Sequence, residues 1–249
     1  MKRWNLRRFA ALFCCLALLG GCTPVEGPAE EPEEEKEQQE ALPPEEPAVQ
    51  PARVTLVAAG DNLLHNTISF DAEQGDGSYD FRPVYQFVKG MVSAADIAFL
   101  NQEVPLSGTV GRYPTLDAPQ QAADAVVDCG FDVVNEATNH ALDKGVQGLM
   151  TTLEGWQQRG ILTLGAFLSP EDASQPRLLE KEGLTFGFLG YTYGTNGIPI
   201  PEGQEYCISL IDRAKIKSDI AALRPQCDYL VVSMHWGTEN RLTPTEEQQ

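Results

Sequence analysis

Short apolar runs alternate with amphipathic segments along the chain from residue 53 onward. The runs are four to eight residues long, rich in β-branched residues and bounded by Gly, Asp or Asn, which is typical of buried strands. We therefore predict strands at residues 53–59, 96–100, 131–134, 161–164, 184–191, 206–211 and 227–234, with 177–181 as a hairpin partner of 184–191.

The segments between these runs have apolar residues at helical spacing. They cover residues 84–95, 119–129, 145–159 and 212 to about 223, with Pro119 at one start, Gly130 and Gly160 after two ends, and Asp212 as a cap. Because strands and helices alternate, the pattern predicts an α/β fold with parallel strands and helical cover. In such sheets, ligands bind beyond the carboxyl ends of the strands.

The N-terminal segment has a different pattern. Residues 1–8 hold four positive charges and no acid, residues 9–19 form an apolar run of about a dozen residues, and residues 19–22 are Leu-Gly-Gly-Cys. This order is typical of a secretory signal, and its end resembles the bacterial lipobox. We predict a signal peptide at 1–21, lipidation at Cys22 and anchoring to the cell membrane on its extracytoplasmic face. The alternative is an ordinary cleaved signal followed by an unrelated cysteine.

Composition separates a spacer from a domain. Residues 23–52 hold ten glutamates, one lysine and seven prolines, so we predict that 22–52 is a lipid-anchored, disordered acidic spacer. Residues 53–249 have the length of one domain and carry 13 basic and 26 acidic residues. They show no basic stripe, which makes nucleic-acid binding unlikely by charge.

Three of the six cysteines fall within the predicted domain: Cys129, Cys207 and Cys227. None has CxxC spacing, so a cysteine zinc site is not supported. The spacing leaves two alternatives open. Cys207 and Cys227 form a disulfide in an oxidising exterior, or all three are buried free thiols.

The three histidines of the chain, His65, His140 and His235, each follow a predicted strand and stand near a carboxylate or an amide. Imidazole and carboxylate groups that meet at one sheet edge form a plausible divalent-metal site. The sequence has no GxSxG, no P-loop and no GxGxxG before a helix, so serine nucleophile chemistry and nucleotide binding through those motifs are not supported.

Four segments carry a family resemblance. Residues 59–65 (AGDNLLH), 96–103 (DIAFLNQE), 137–145 (ATNHALDKG) and 235–239 (HWGTE) resemble, in order, the motifs of the CapA family. These are accessory proteins of capsule or poly-γ-glutamate synthesis. The resemblance implies a calcineurin-like metallophosphoesterase-type αββα sandwich for residues 53–249, a metal-dependent phosphoesterase-like activity if the protein is catalytic, and the following roles. Asp61, Glu103, Asn139 and His235 would bind a divalent metal (Mn, Fe, Zn or Mg), His140 and His65 would be catalytic, and Asn101 and Glu239 would contact substrate.

The same resemblance implies a surface lipoprotein that acts in synthesis, tethering or release of an anionic polymer, with capsule synthase subunits as partners. The alternative is a non-catalytic accessory or polymer-binding subunit. A third alternative is an extracytoplasmic solute-binding lipoprotein. The family pattern continues into a further strand and a Gly-His-His-Pro-His segment that this sequence does not contain. We therefore expect a truncated domain that lacks the last strands of the sandwich.

Overall fold

The computed structural model describes residues 52–249. Four strands form a parallel sheet in the order β1-β2-β3-β4. They are β1 (Leu56–Asp61), β2 (Ile97–Asn101), β3 (Val133–Asn135) and β4 (Leu162–Leu164). Spatial order therefore follows chain order, and the carboxyl ends of all four strands lie at the same edge.

A second sheet has the order β5-β6-β7. It contains β5 (Leu178–Lys181), β6 (Leu184–Thr192) and β7 (Tyr229–His235). The first pair is the predicted antiparallel hairpin, whereas β6 and β7 run parallel over seven paired residues. His235 is the last residue of this parallel pairing, opposite Thr192.

Helices connect the strands. They are α1 (Asn66–Ala72), α2 (Arg82–Tyr85), α3 (Lys89–Val92), α4 (Gln121–Cys129), α5 (Gly145–Gln158), α6 (Pro170–Ala173) and α7 (Arg213–Leu223). The predicted cap is confirmed, because the Asp212 side chain accepts a hydrogen bond from the backbone N–H of Lys215. Among residues 52–249, no helix combines the length and the apolar character needed to span a membrane.

The two sheets pack face to face, with helices on their outer sides. Alternate side chains of β2 point to opposite faces of the first sheet. Ile97 and Phe99 join a buried cluster with Phe186 and Phe188 of β6, which lies between the sheets. Ala98 and Leu100 belong to the cluster on the other face, which includes residues of α4. On the far side of the second sheet, the Tyr191 hydroxyl donates to Asp219 of α7 at 2.7 Å. This order of layers is the predicted α/β sandwich with helices on both outer faces.

Two predicted elements differ from the structure. Residues 84–95 do not form one helix: α2 and α3 are single turns, and the intervening Phe87 is 91% exposed. Residues 206–211 do not form a strand; a short 3-10 turn at Glu205–Cys207 is followed by isolated bridges of Ile208 and Leu210. The backbone there bonds alternately to both sheets instead of extending one of them, since Ser209 donates to Gly165 O and accepts from Thr192 N.

The thiols of Cys129, Cys207 and Cys227 are free and buried, so of the two alternatives the structure has the free thiols. The predictions for the signal peptide at 1–21, for Cys22 and for the spacer up to residue 51 lie outside the described residues.

Candidate functional site

The predicted site residues gather at the carboxyl ends of the strands. Asp61, Asn101 and Asn135 are the last residues of β1, β2 and β3, and the sheet register pairs Asp61 with Asn101 and Asn101 with Asn135. His235 ends β7 of the second sheet. The site is therefore assembled across the sandwich, with carboxylate and amides from one sheet and an imidazole from the other.

Asn101 links these groups. Its Nδ2 donates to Asp61 Oδ1 at 2.8 Å and lies 3.4 Å from His235 Nδ1, while its Oδ1 accepts from Asn135 Nδ2 at 2.6 Å. Asn101 is 6% exposed and Asn135 is fully buried. The amide group of Asn101 thus faces the site and its carbonyl faces the protein interior.

His235 is held between Asn101 and Asn139. Its Nε2 lies 2.7 Å from Asn139 Oδ1, so Nε2 carries the proton and the lone pair of Nδ1 faces Asn101 Nδ2 at 3.4 Å. Asp61 Oδ1 lies 3.6 Å from the same nitrogen. Burial lowers the pKa of His235, although the Asp61 carboxylate opposes that effect. The neutral imidazole is therefore the favoured form. The ring of the half-exposed Tyr193 stacks on it at 6.0 Å.

His140 has the opposite protonation preference. Its Nδ1 is 2.6 Å from Asp143 Oδ2, and this hydrogen bond raises the pKa of His140 despite partial burial. Asp143 is itself fixed, because the same oxygen accepts from the backbone N–H of Leu116 at 2.6 Å. Asp143 therefore orients the ring and favours its protonated form, which leaves His140 able to donate a proton or to contact an anionic group.

The carboxyl group of Glu103 is a weaker acid than a carboxyl group in water. Burial and, after it, the neighbouring Asp61 carboxylate raise the pKa of Glu103 to about 7, while His140 opposes the shift. Glu103 is 9% exposed. Glu103 therefore takes up a proton near neutral pH, and a bound cation would stabilise its charged form instead.

Two predicted site residues are more peripheral. The exposed Glu239 acts on the pKa of both His140 and Glu103, so it lies within electrostatic reach of the site. His65 stands at the N-cap of α1, with its Nδ1 2.7 Å from Asn66 Oδ1. Within the described residues, His65 makes no side-chain hydrogen bond to the other predicted site residues.

The sequence analysis did not assign four residues that the structure brings into the site: Asn135, Asp143, Tyr193 and Asn196. Asn196 lies in the left-handed region with φ of 51°, and its Oδ1 accepts from Asn139 Nδ2 at 2.9 Å. That bond turns the carbonyl of Asn139 toward His235. Only Asp143 carried a signal in the sequence, its i, i+3 spacing from His140.

A buried hydrogen-bond chain joins the segments that directly follow β1 and β2, next to Asp61 and Glu103. The Tyr85 hydroxyl donates to Asn62 Oδ1 at 3.0 Å, Asn62 Nδ2 donates to Gln102 Oε1 at 2.7 Å, and Gln102 Nε2 donates to the carbonyl of Val104 at 2.6 Å. All of these side chains are under 9% exposed. Each polar group therefore has a partner, and the ends of β1 and β2 are held together.

The chemical types of the potential ligand atoms in this site suit a divalent cation. The carboxylate oxygens of Asp61 and Glu103 and the amide oxygen of Asn139 suit Mg and Mn, and the imidazole of His235 suits Zn and Fe. In the structure these side chains are held by hydrogen bonds. Within residues 52–249, no group of three or more His, Cys, Asp or Glu side chains is placed so as to hold an ion. Metal binding would require these side chains to exchange hydrogen bonds for coordination.

Comparison with known families matches this chain to one of them. The model of the bacterial capsule synthesis protein PGA_cap matches residues 55–249, which include all four strand-end motifs. The chain belongs to the PGA_cap family. The resemblance to CapA proteins is therefore confirmed, as is the α/β fold class of this PGA_cap member.

Two relatives of the PGA_cap member carry CapA names. The "PGA biosynthesis protein CapA" of Bacillus subtilis (strain 168) is 29% identical over 182 residues, which are 67% of this chain and 45% of that protein. The "Capsule biosynthesis protein CapA" of Bacillus anthracis is 25% identical over 208 residues, 78% of this chain and 50% of that protein. The PGA_cap member thus spans about half the length of these relatives.

A solved structure titled as a putative 5'-nucleotidase from Staphylococcus aureus in complex with alpha-ketoglutarate aligns over 76% of this chain and 39% of its own, with TM-score 0.44 and 14% identity. Because the similarity is this low, the alignment adds nothing to the family assignment of the PGA_cap member.

Proposed function

We propose that this protein acts at the cell surface in the synthesis, tethering or release of an anionic capsule polymer of the poly-γ-glutamate type, through a metallophosphoesterase-like site. Membership of the PGA_cap family and the CapA names of its relatives support the polymer class. The observation that carries the proposal is the convergence of Asp61, Asn101, Asn139 and His235, with His140 paired to Asp143 beside them.

The protein's own residues divide the work of such a site. Asp61, Glu103, Asn139 and His235 would hold a divalent cation, which when bound supplies a Lewis acid for a phosphoryl or carbonyl oxygen. His140, whose protonated form the hydrogen bond to Asp143 favours, would donate a proton to a leaving group or hold an anionic substrate group. Asn101 would orient Asp61 through its amide.

Complementation tests the catalytic proposal. A capsule-forming bacterium that lacks its own family member would receive the full chain, His140→Ala, His235→Ala or, as a matched control, Lys217→Ala on the exposed face of α7. We expect both histidine variants to lose polymer production and the control to retain it. Unchanged polymer yield in both histidine variants, at equal protein levels, would refute a catalytic role.

A non-catalytic accessory role is the second candidate. It is favoured by the absence, in the part of the chain that the structure describes, of three ionisable side chains grouped as metal ligands. In that case the strand-end residues would shape a surface that holds polymer or synthase subunits. Loss of polymer on removal of the whole chain, with full yield from both histidine variants, would support this role.

Charge constrains direct polymer contact. The predicted domain carries 13 basic and 26 acidic residues, so it repels a polyglutamate chain unless cations bridge the two. Binding of purified poly-γ-glutamate to the full chain should therefore increase steeply with Mg²⁺. Absence of binding at every Mg²⁺ concentration would exclude direct polymer binding.

The proposal includes lipid anchoring at Cys22, with the acidic spacer holding the domain away from the cell membrane. Cys22→Ser should move the protein from the membrane fraction to the medium and remove the mass of the acyl chains. Retention of Cys22→Ser in the membrane fraction would contradict anchoring through this cysteine.

A further inference from the structure

Asn135 lies directly beneath the site without being one of its predicted members. It is fully buried at the end of β3, and its Nδ2 donates to Asn101 Oδ1 at 2.6 Å and to the carbonyl of Ala137 at 3.2 Å. Its own Oδ1 accepts from the backbone N–H of Ala137 at 3.4 Å. Both ends of the carboxamide are therefore in use, which fixes which end faces Asn101.

Two glycines leave space for this side chain. A Cβ atom added at Gly190 of β6 would overlap Asn135 Oδ1, and one added at Gly165 would lie 2.8 Å from the same oxygen. Gly190 belongs to the second sheet and Gly165 follows β4 of the first. Asn135 is thus enclosed from both sheets and has no room to move to another position, while its hydrogen bonds set which end of the carboxamide faces Asn101.

The orientation of the Asn135 side chain determines which end of the Asn101 carboxamide faces the site. Since Asn135 donates to Asn101 Oδ1, the Asn101 amide must point outward, where it donates to Asp61 Oδ1 and faces the lone pair of His235 Nδ1. A reversed Asn101 would place its oxygen against the Asp61 carboxylate, which is repulsive. The Asn139 carboxamide is turned the other way. Its amide donates to Asn196, so its oxygen faces His235.

We propose that Asn135, enclosed by Gly165 and Gly190, is a positioning residue that fixes Asn101 as a hydrogen-bond donor to Asp61 and His235. The importance of this role for the organism rests on the proposed function, but the role itself is a property of the folded chain. Asn135 touches no reacting group and acts only through Asn101.

The test follows the Asn101 side-chain amide by NMR, in the full chain without added metal. Three variants are compared: Asn135→Ala, Gly190→Ala and the double variant. Gly190→Ala alone should lower the melting temperature, because the new methyl group overlaps Asn135. In the double variant the methyl group occupies the space that Asn135 leaves, so the melting temperature should rise above that of Gly190→Ala. The double variant also provides a folded protein for the test if Asn135→Ala alone does not fold.

The two measurements separate packing from positioning. We expect the Asn101 amide to lose its protection from hydrogen exchange by at least about tenfold in Asn135→Ala and in the double variant, although the latter is stable. Protection equal to that of the parent in the double variant would overturn the proposal. His140→Ala, which tests the proposed function, should leave this protection in place, so failure of one hypothesis is distinguishable from failure of the other.

Discussion

Glu136 is a carboxyl group that the folded chain keeps away from water. Its side chain is 2% exposed, and burial raises its pKa well above the ordinary 4.5, although a hydrogen bond from Trp156 Nε1 opposes the shift. The folded chain therefore favours the neutral acid. Glu136→Gln retains an oxygen that accepts from the indole N–H and removes the titration.

The sign of the effect follows from proton counting. Between pH 4.5 and the raised pKa, the folded chain holds a proton at Glu136 that the unfolded chain has released. Stability present at low pH is then lost with rising pH, at up to about 1.4 kcal/mol per pH unit for one proton, until the pH passes the raised pKa. Because Glu136→Gln lacks this loss, its stability relative to the parent should increase as pH rises.

Urea unfolding of both proteins, in half-unit steps from about pH 4.5 to about pH 8, measures this difference. Glu154→Gln is the matched control, since Glu154 is exposed on the same helix as Trp156. Its difference from the parent should stay small at every pH. A difference between Glu136→Gln and the parent that is constant across the range would refute the reasoning.

Three further predictions, with four substitutions in all, use the same unfolding measurement. Asp117→Ala removes a buried carboxylate that accepts hydrogen bonds from residues 107 and 109, and should cost about 3 kcal/mol; a loss under about 1 kcal/mol would contradict its role in that loop. Phe188→Ala in the layer between the sheets should cost about 3–5 kcal/mol, whereas Phe87→Ala, 91% exposed, should cost under about 0.5 kcal/mol; equal costs would contradict that placement. Asp212→Ala should cost about 1 kcal/mol through the lost cap, and no change would argue against it.

Local patterns in the sequence were sufficient for most elements of the fold. The strands that end at Asp61, Asn101 and His235 are short apolar runs, although only the one that ends at Asn101 is buried throughout, and α7 follows a residue that caps helices. The prediction of one helix at residues 84–95 was wrong because helical spacing of apolar residues does not require that they be buried. Phe87 has no core to pack against, so the helix is interrupted there.

The site was predictable in its location but not in its connections. Because residues at strand ends meet at one edge of a parallel sheet, the sequence pattern alone predicts that Asp61 and Asn101 lie together. His235 reaches them from the second sheet, and the pattern does not show which sheet a strand joins. The partners of Asn139 and Asn101 could not be found in this way. Asn196 is 57 residues from Asn139 along the chain, and Asn135 has no local signal that distinguishes it from any polar residue after a strand.

The position of His235 on a different sheet from Asp61 makes their separation dependent on the apolar layer between the sheets. Phe188 and Leu164 help to set the thickness of that layer, although neither is a member of the site. A change in side-chain volume there would alter the 3.6 Å separation of His235 and Asp61 without replacing either residue. Natural variation in the affinity of such a site could therefore arise in its hydrophobic interior, where a comparison of functional residues alone would not look for it.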